Sequence, residues 1–413
     1  MPPLRLIQRA LSQASERFAL ELAAPRAQAP QWSGFEWDMA RAAAVLHGVS
    51  PLLASTLRWQ GPASWQQFLR EQRQATARRR DRIGAFLQRL NAEAQRAQVG
   101  FVALKGAALH RLGIYLAGER PTADIDLLVA PHAATRMGEV LARLDYRRAG
   151  EVWKHLVYEP VPHCSAPALQ QRFGEHADAP IKIDLHTRIT ERLPRTLVDE
   201  SARIAPALWH AGSNDYPSCA ALMRHLLLHA AGNMSVRGLR LLQLHDIALL
   251  APHLSHSEWD QLTRAEPATP AAWWALPVLR LTARYYPSAI PTPILAALEP
   301  LCPRALMRRS RHQRLSDVSL VALGIEAFPG IGWSTSLGER LRLIYSRVRP
   351  DAEQRAVRAL TAHEAWAAPS AWTHLSQARR AWRWLLTRPP RQATMFAVHA
   401  ALANQRSDRS AQD

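Results

Sequence analysis

Two short stretches that combine apolar residues with aspartates decide the fold. They read Ala123-Asp124-Ile125-Asp126-Leu127-Leu128-Val129 and Ile181-Lys182-Ile183-Asp184-Leu185-His186. Alternation of apolar and polar residues predicts β-strands, because successive side chains of a strand point to opposite faces. Asp124 and Asp126 then lie on one face, about 6–7 Å apart. In the second strand Lys182, Asp184 and His186 share a face, so Asp184 supplies a third carboxylate if the two strands are neighbours.

A strand, a turn and a helix precede the first aspartate strand. The apolar run at residues 99–104 predicts a strand, Lys105-Gly106 breaks it, and residues 107–115 have a helical pattern. A second helix is predicted at residues 133–144. These elements together predict a mixed α/β module of roughly 100 residues.

The rest of the chain has the apolar periodicity and proline punctuation of helices. We therefore predict an α+β fold with a small mixed β-sheet core at residues 98–212. A helical N-terminal region at residues 1–97 precedes this core, and a larger helical C-terminal domain at residues 213–404 follows and covers its cleft. Residues 405–413 are polar and are predicted to form a disordered tail.

The composition excludes several classes of protein. With 48% hydrophobic and 21% charged residues, the 413-residue chain has enough apolar material to fold. No apolar run reaches the roughly 20 residues of a membrane helix, and the first residues lack the apolar centre of a secretory signal. We expect no membrane span and a cytoplasmic location. Cys164, Cys219 and Cys302 lack the spacing of a metal or redox site and are interpreted as core or neutral residues.

The chain is strongly basic, with 52 basic against 34 acidic residues and a net charge of +18. The excess lies towards both ends, and its densest cluster comprises Arg304, Arg308, Arg309, Arg311 and Arg314. This cluster and the run at residues 78–82 are candidate contacts for RNA or an acidic partner, although solvated helix faces are favoured. The paired tryptophans at residues 273–274 and at 382 and 384 can stack on bases, but core packing is favoured.

The three aspartates point to a divalent cation. Two carboxylates side by side on a strand repel each other unless a cation compensates them. Hard oxygen ligands suit Mg²⁺, which takes one or two carboxylates together with substrate phosphates. We therefore predict a metal site at Asp124, Asp126 and Asp184.

These residues resemble the polymerase-β-like nucleotidyltransferase superfamily, and within it a group of uncharacterised nucleotidyltransferases. The resemblance covers about residues 99–190 and rests on Leu104-Lys105-Gly106-Ala107-Ala108-Leu109, on Arg120 before the first aspartate strand, and on Ile183-Asp184-Leu185-His186. A weaker similarity continues at residues 228–230 and 244–247.

The resemblance implies an NTP donor, two Mg²⁺ ions and a defined set of site residues. The implied nucleotide-binding residues are Lys105, Gly106, Ala107 and Arg120. The implied catalytic and metal-binding residues are Asp124, Asp126 and Asp184, with Asp184 as the acceptor of the attacking hydroxyl's proton. His186 is a possible substrate contact, although a structural histidine is the favoured interpretation. His229 and Asp246 are interpreted as hydrogen-bonding residues of the helical core.

Two departures from the superfamily pattern concern the grip on phosphate. The usual Gly-Ser turn is Gly106-Ala107, and 17 residues separate Gly106 from Asp124. Lys105 or Arg120 are candidates to compensate the missing hydroxyl as phosphate-neutralising cations. The alternatives are a partly buried structural role for Lys105 and a surface ion pair near Glu119 for Arg120.

The sequence thus predicts a Mg²⁺-dependent nucleotidyltransferase. It would transfer an NMP from an NTP to a hydroxyl of an unidentified acceptor, which is a small molecule, a protein or RNA. The alternative is a catalytically inactive adaptor with the same fold that binds RNA or a protein through its arginine-rich flanks.

Overall fold

The computed structural model describes residues 1–161, 173–194, 196–264, 271–349 and 377–410, so Cys164 lies outside the described residues. It has an α+β fold, with one mixed six-stranded sheet and helices on both sides, as the sequence predicts. Within these ranges every helix is too short or too polar to span a bilayer.

The main sheet has the strand order β3-β4-β5-β2-β1-β8, and β6 and β7 form a separate antiparallel pair. The pairs β2–β5 and β1–β8 are parallel, and the other neighbours are antiparallel. The strands are β1 (Gly100–Ala103), β2 (Asp124–Leu128), β3 (Tyr146–Val152), β4 (His155–Pro160), β5 (Lys182–His186), β6 (Thr190–Leu193), β7 (Thr196–Asp199) and β8 (Gly212–Asn214).

Helices precede, interrupt and follow the sheet. The α-helices are α1 (Leu4–Ala23), α2 (Gly34–His47), α3 (Ser50–Thr56), α4 (Ala63–Arg96), α5 (Gly106–Arg111), α6 (Ala134–Arg143), α7 (Ser201–Ile204), α8 (Cys219–Ser235), α9 (Leu241–Leu250), α10 (His256–Thr263), α11 (Leu276–Tyr285), α12 (Thr292–Leu298), α13 (Arg304–Ser310), α14 (Leu315–Val318), α15 (Leu337–Val348), α16 (Gln377–Thr387) and α17 (Gln392–Ser410). Short 3-10 turns lie at Pro131–Ala133, Ala251–His253, Trp273–Ala275, Glu299–Leu301 and Ile331–Trp333.

The three predicted strands are present as β1, β2 and β5. The sheet is larger than predicted, because β3, β4 and β8 extend it on both sides. Strand β8 ends at Asn214, two residues beyond the predicted core boundary, and α17 includes residues 405–410 of the predicted tail. Residues 411–413 lie outside the described part of the chain, and the division into domains stays a prediction.

One face of the sheet is apolar and packs on α4 and α6. Ile125 and Leu127 of β2 and Ile183 of β5 are buried in one cluster with Phe86 of α4 and Val140 of α6. Because these strand residues point into that cluster, alternation turns the aspartates of β2 and β5 to the opposite face.

The opposite face of the sheet lies towards α8 and α9. Helix α8 begins after Ser218, whose side chain accepts the N–H of Ala221, and almost all of its residues are buried. Val102 and Leu128 of the sheet share an apolar cluster with Leu227 of α8 and Leu244 of α9. The predicted C-terminal helices therefore do pack over the carboxylate face.

Candidate active site

The register of two parallel strands brings the predicted carboxylates together. Strand β2 pairs with β5 so that Asp126 is level with Asp184 and Leu128 is level with His186. Asp124, two residues before Asp126, lies on the same face. The adjacency that the sequence required of these strands is therefore present.

A cavity of about 600 Å³ opens between this face and helices α8 and α9. We call it the aspartate cavity. Its lining includes every residue predicted for the site, namely Lys105, Gly106, Ala107, Arg120, Asp124, Asp126, Asp184 and His186. The structure thus places these side chains around one space, while their roles stay predictions.

Of the three carboxylates, Asp126 has the closest hydrogen-bond partners. Its Oδ1 accepts a hydrogen bond from Lys105 Nζ at 2.8 Å and lies 3.0 Å from His186 Nε2. Burial alone would raise the pKa of Asp126, but the charge of Lys105 and the hydrogen bond to His186 hold that pKa well below its usual value. Asp126 is therefore ionised at neutral pH, and His186 contacts Asp126 rather than Asp184.

The other two carboxylates have raised pKa values. Asp124 stands at the exposed start of β2. The surrounding protein displaces water from its carboxylate, and this desolvation, followed by the charge of Asp126, raises its pKa. Asp184 is more enclosed, and burial followed by repulsion from Asp124 and Asp126 raises its pKa to about 7. A cation in the cavity would relieve this repulsion.

His155 of β4 belongs to the site, although the sequence analysis does not identify it. Because Leu156 is level with Leu185, His155 lies beside His186, with the two ring centroids 4.9 Å apart. Its Nε2 is 3.3 Å from Asp184 Oδ2. Burial, then the charges of His186 and Lys154, lower the pKa of His155 to about 3, so the imidazole is neutral.

One compact group of potential metal ligands is found among the described residues. It comprises His155, Asp184 and His186, whose ligand atoms all lie within 4.8 Å of one another. The predicted set of three aspartates is more open than this group. Carboxylate oxygens suit Mg²⁺, whereas imidazole nitrogens suit transition-metal ions, so the cavity has donors for a divalent ion of either kind.

Arg120 is largely enclosed and forms an ion pair with Asp246 of α9. Its Nε and one terminal nitrogen each lie 2.8 Å from a carboxylate oxygen of Asp246, and Tyr115 donates to the same carboxylate at 2.7 Å. The interpretation of Arg120 as a surface charge near Glu119 is therefore wrong. The hydrogen-bonding role of Asp246 is as predicted.

Arg120 also explains why residue 106 is a glycine. A Cβ at position 106 would lie 2.0 Å from a terminal nitrogen of Arg120. That guanidinium is held by Asp246 and has little freedom to move. Gly106 therefore lets α5 begin directly against the charged end of Arg120.

Lys105 adopts a backbone conformation that few residues with a side chain adopt, with a φ of 49°. Its N–H donates to the hydroxyl of Tyr216 at 3.2 Å, and that hydroxyl lies 2.7 Å from Nδ1 of His225. This chain of hydrogen bonds from the C-terminal helices holds the turn in which the Lys105 ammonium reaches Asp126.

Arg79 of α4 supports the site from outside the sheet. It is only 3% exposed. Its guanidinium donates to the carbonyls of Thr122 and Ala179 at 2.6 Å each, and also to those of Ala123 and Pro180. These carbonyls directly precede β2 and β5. For Arg79 the interpretation of the basic run as a solvated helix face is therefore wrong.

A comparison with models of protein families identifies the class of protein to which this chain belongs. A family model described as "Uncharacterised nucleotidyltransferase" matches residues 33–287, which is more than half of the chain. The chain belongs to this nucleotidyltransferase family, and this membership supports a role in nucleotidyl transfer. No curated protein and no solved structure matches it.

Proposed function

We propose that the protein is a Mg²⁺-dependent nucleotidyltransferase that transfers an NMP from an NTP to a hydroxyl of an acceptor. One observation carries the proposal: Asp126 and Asp184 lie level on neighbouring parallel strands, with Asp124 on the same face and at the same cavity. Membership of a nucleotidyltransferase family supports it.

In this proposal Asp124, Asp126 and Asp184 hold the divalent ions, of which we expect two. Their oxygen donors fit Mg²⁺, and the pKa values of Asp124 and Asp184 are raised by burial and then by repulsion between the carboxylates, which a cation would compensate. The bound metal would neutralise the charge that develops on the phosphoryl group during transfer.

The nucleotide is assigned to the part of the cavity at the start of α5. Lys105, Gly106, Ala107 and Arg120 line it, and the glycine allows the guanidinium of Arg120 to lie against the start of α5. Three further cations that the sequence analysis does not identify also line this cavity: Lys154, Arg240 and Arg391. Lys105, Arg120 and Lys154 are paired with the carboxylates of Asp126, Asp246 and Glu191. The support for an NTP therefore comes from Arg240 and Arg391, because a triphosphate carries several negative charges with which guanidinium groups pair.

Asp184 is the proposed general base. Its carboxylate lies at the same cavity as Asp124 and Asp126, and His155 Nε2, 3.3 Å from Asp184 Oδ2, positions it. The acceptor's hydroxyl oxygen would form a bond to the α-phosphorus while the bond from that phosphorus to the β-phosphate breaks. The hydroxyl proton passes to Asp184, and pyrophosphate leaves.

The direct test is transfer of label from α-³²P-labelled NTPs to candidate acceptors by the full chain with Mg²⁺. We expect Asp124→Ala/Asp126→Ala to reduce transfer by at least about 10²-fold, because both carboxylates would bind metal. The matched control is Asp81→Ala/Asp260→Ala, which removes two exposed aspartates away from the cavity. Transfer that survives in the first variant contradicts the proposal.

An inactive adaptor with the same fold is the second candidate function. The observation that favours it is that Lys105 and His186 together satisfy Asp126 Oδ1 without a metal. Calorimetric titration with each NTP in the presence of Mg²⁺ separates the two functions. Binding of an NTP that is lost in Asp124→Ala/Asp126→Ala supports the enzyme, whereas absence of NTP binding supports the adaptor.

A further inference from the structure

A second and larger cavity, of about 990 Å³, lies beside the aspartate cavity. We call it the arginine cavity. Three parts of the chain meet there: the start of α1, the segment from the end of α8 to Arg237, and the described residues from the end of α13 to Pro390. None of these parts belongs to the sheet, so the cavity is a separate feature of the helical region.

The described lining of this cavity is strongly basic. It contains five arginines and a single carboxylate, that of Glu326; the arginines are Arg5, Arg9, Arg237, Arg309 and Arg388. Glu326 Oε1 lies 3.4 Å from a terminal nitrogen of Arg237 and 3.8 Å from one of Arg309. One carboxylate cannot neutralise five guanidinium groups, so the cavity favours an anionic ligand.

Aromatic rings accompany the arginines. Phe328 and Trp384 line the cavity with partly exposed rings, whereas Trp333 lines it but is buried. The guanidinium carbon of Arg347 lies 4.3 Å from the centroid of the Trp384 ring. Trp382 is 65% exposed, so the prediction that it is a core residue is wrong, whereas Trp384 is partly buried. Arginines interleaved with aromatic rings suit a ligand that carries both phosphates and bases.

The two cavities share a wall, which is formed by residues 236–237 and 390–391. Val236 and Arg391 line the aspartate cavity, whereas their sequence neighbours Arg237 and Pro390 line the arginine cavity. The Arg391 guanidinium donates to the carbonyls of Arg237 and Val236 at 2.6 and 2.8 Å, which fixes the two parts of the wall together. A ligand in the arginine cavity therefore lies next to the aspartate cavity.

We propose that the arginine cavity binds the acceptor, and that this acceptor is a single-stranded nucleic acid. This inference rests on the proposed function for the identity of the ligand as acceptor. Phosphates of the strand would pair with the arginines, bases would stack on the aromatic rings, and a terminal hydroxyl would extend past the wall to the aspartate cavity. That hydroxyl would form the phosphodiester bond described above, with release of pyrophosphate.

The test measures binding of fluorescein-labelled single strands of about 12 nucleotides to the full chain by anisotropy over a range of salt concentrations. One strand is RNA and the other is DNA, so the measurement shows which of the two nucleic acids binds more tightly. NTP and metal are omitted, so that binding is scored independently of transfer.

Two charge-reversal variants give the decisive comparison. Arg309→Glu/Arg388→Glu changes the arginine cavity, and Arg70→Glu/Arg136→Glu makes the same charge change at exposed arginines elsewhere. We expect the first variant to weaken binding at least about tenfold and to reduce the slope of log affinity against log salt by about 1.4, while the second changes affinity less than about threefold. Equal weakening by both variants, or no binding of either strand at low salt, overturns the proposal.

Two further measurements keep the result interpretable. Trp384→Ala should weaken binding at least about fivefold with little change in the salt slope, because it removes stacking and no charge. Asp124→Ala/Asp126→Ala should retain binding. If the strands bind at the arginine cavity but no label is transferred, the proposed function fails and the binding site stands. If label reaches only an acceptor that is not a nucleic acid, this inference fails alone.

Discussion

At the scale of single residues, the carboxylates of the aspartate cavity differ because their immediate neighbours differ. Lys105 and His186 stabilise the ionised form of Asp126, whereas Asp184 has His155 beside it and two negative charges nearby. Groups of one chemical type thus acquire separate protonation behaviour. This is the condition for one of them to accept a proton while another stays charged.

The pKa of Asp184 predicts a pH-dependent effect of Asp184→Asn on stability. Its folded-state pKa of about 7 lies above the usual 3.8. The stability that this shift provides is present at low pH and is lost as the pH rises from about 4 to about 7, since the unfolded chain gives up the proton first. In EDTA we expect Asp184→Asn to be more stable than the unmodified protein by about 1–3 kcal/mol at pH 8, with a smaller gain at pH 5.

Urea unfolding at several pH values measures this difference. Asp260→Asn, at an exposed position, is the control and should show no such trend. A gain from Asp184→Asn that is the same at pH 5 and pH 8 would show that Asp184 titrates at an ordinary pKa in the folded protein.

The group of His155, Asp184 and His186 predicts that the site prefers transition-metal ions, which bind imidazole nitrogens, to Mg²⁺. We expect Zn²⁺ to bind the nucleotide-free protein more tightly than Mg²⁺, and His155→Gln to weaken Zn²⁺ binding at least about tenfold. Calorimetric titration measures both, and His132→Gln, at an exposed histidine, is the control. Identical Zn²⁺ affinities in the two variants would exclude His155 as a ligand.

The sequence predicts residues of the aspartate cavity only where polar and apolar residues alternate along a strand. Asp124, Asp126 and Asp184 interrupt apolar strands, and this pattern carries chemical information in itself. His155 stands between Trp153 and Val157 in a mainly apolar stretch that lacks such a pattern, and its contact with Asp184 depends on the pairing of β4 with β5. Arg79 is one of several arginines in a helix, and only the tertiary structure distinguishes it from Arg78.

At the scale of elements, α4 contributes to the cavity without lining it. This 34-residue helix packs Phe86 under the sheet and presents Arg79 to the carbonyls that precede β2 and β5. Those carbonyls lie at the ends of the two loops that lead into the strands. The guanidinium of Arg79 thus connects the starts of the two aspartate strands, β2 and β5.

We expect Arg79→Met to lower the free energy of unfolding by at least about 2 kcal/mol, because it leaves several carbonyls without donors. It should also weaken binding of NTP. Arg79→Lys should recover only part of the loss, since an ammonium lacks the planar fork. Urea unfolding measures stability, and Arg78→Met, at the exposed neighbouring position, should change it by less than about 0.5 kcal/mol.

The elements that the sequence predicts are those with strong periodicity. Helix α6 and strands β2 and β5 lie within a few residues of their predicted ranges. Strand β3 contains Arg147, Arg148 and Glu151 and is largely exposed at the sheet edge, so its composition does not indicate a strand. Strand β8 has three residues, Gly212–Asn214, too few for any periodic signal.

At the scale of the whole molecule, the ion pair of Arg120 with Asp246 joins the loop before β2 to α9. Both side chains are buried, so the loss of either partner leaves a charge uncompensated. We expect Arg120→Met to lower the free energy of unfolding by about 3–5 kcal/mol. Arg120→Met/Asp246→Leu should recover most of that loss, because it leaves no unpaired charge.

A double-mutant cycle measured by urea unfolding tests this coupling. The two single variants and the double variant give the interaction free energy directly. Additive effects would show that the ion pair does not link the sheet to the C-terminal helices.

Because the Arg79 guanidinium comes from α4, the smallest portion of the chain able to fold around the three aspartates must begin well before the sheet. A truncation to residues 98–212 would lack this arginine, the apolar underside supplied by Phe86, and the end of β8. We expect that fragment to be recovered as insoluble material. One that begins at residue 33 and continues through α9 should yield soluble, protease-resistant protein, which limited trypsin digestion followed by mass spectrometry would establish.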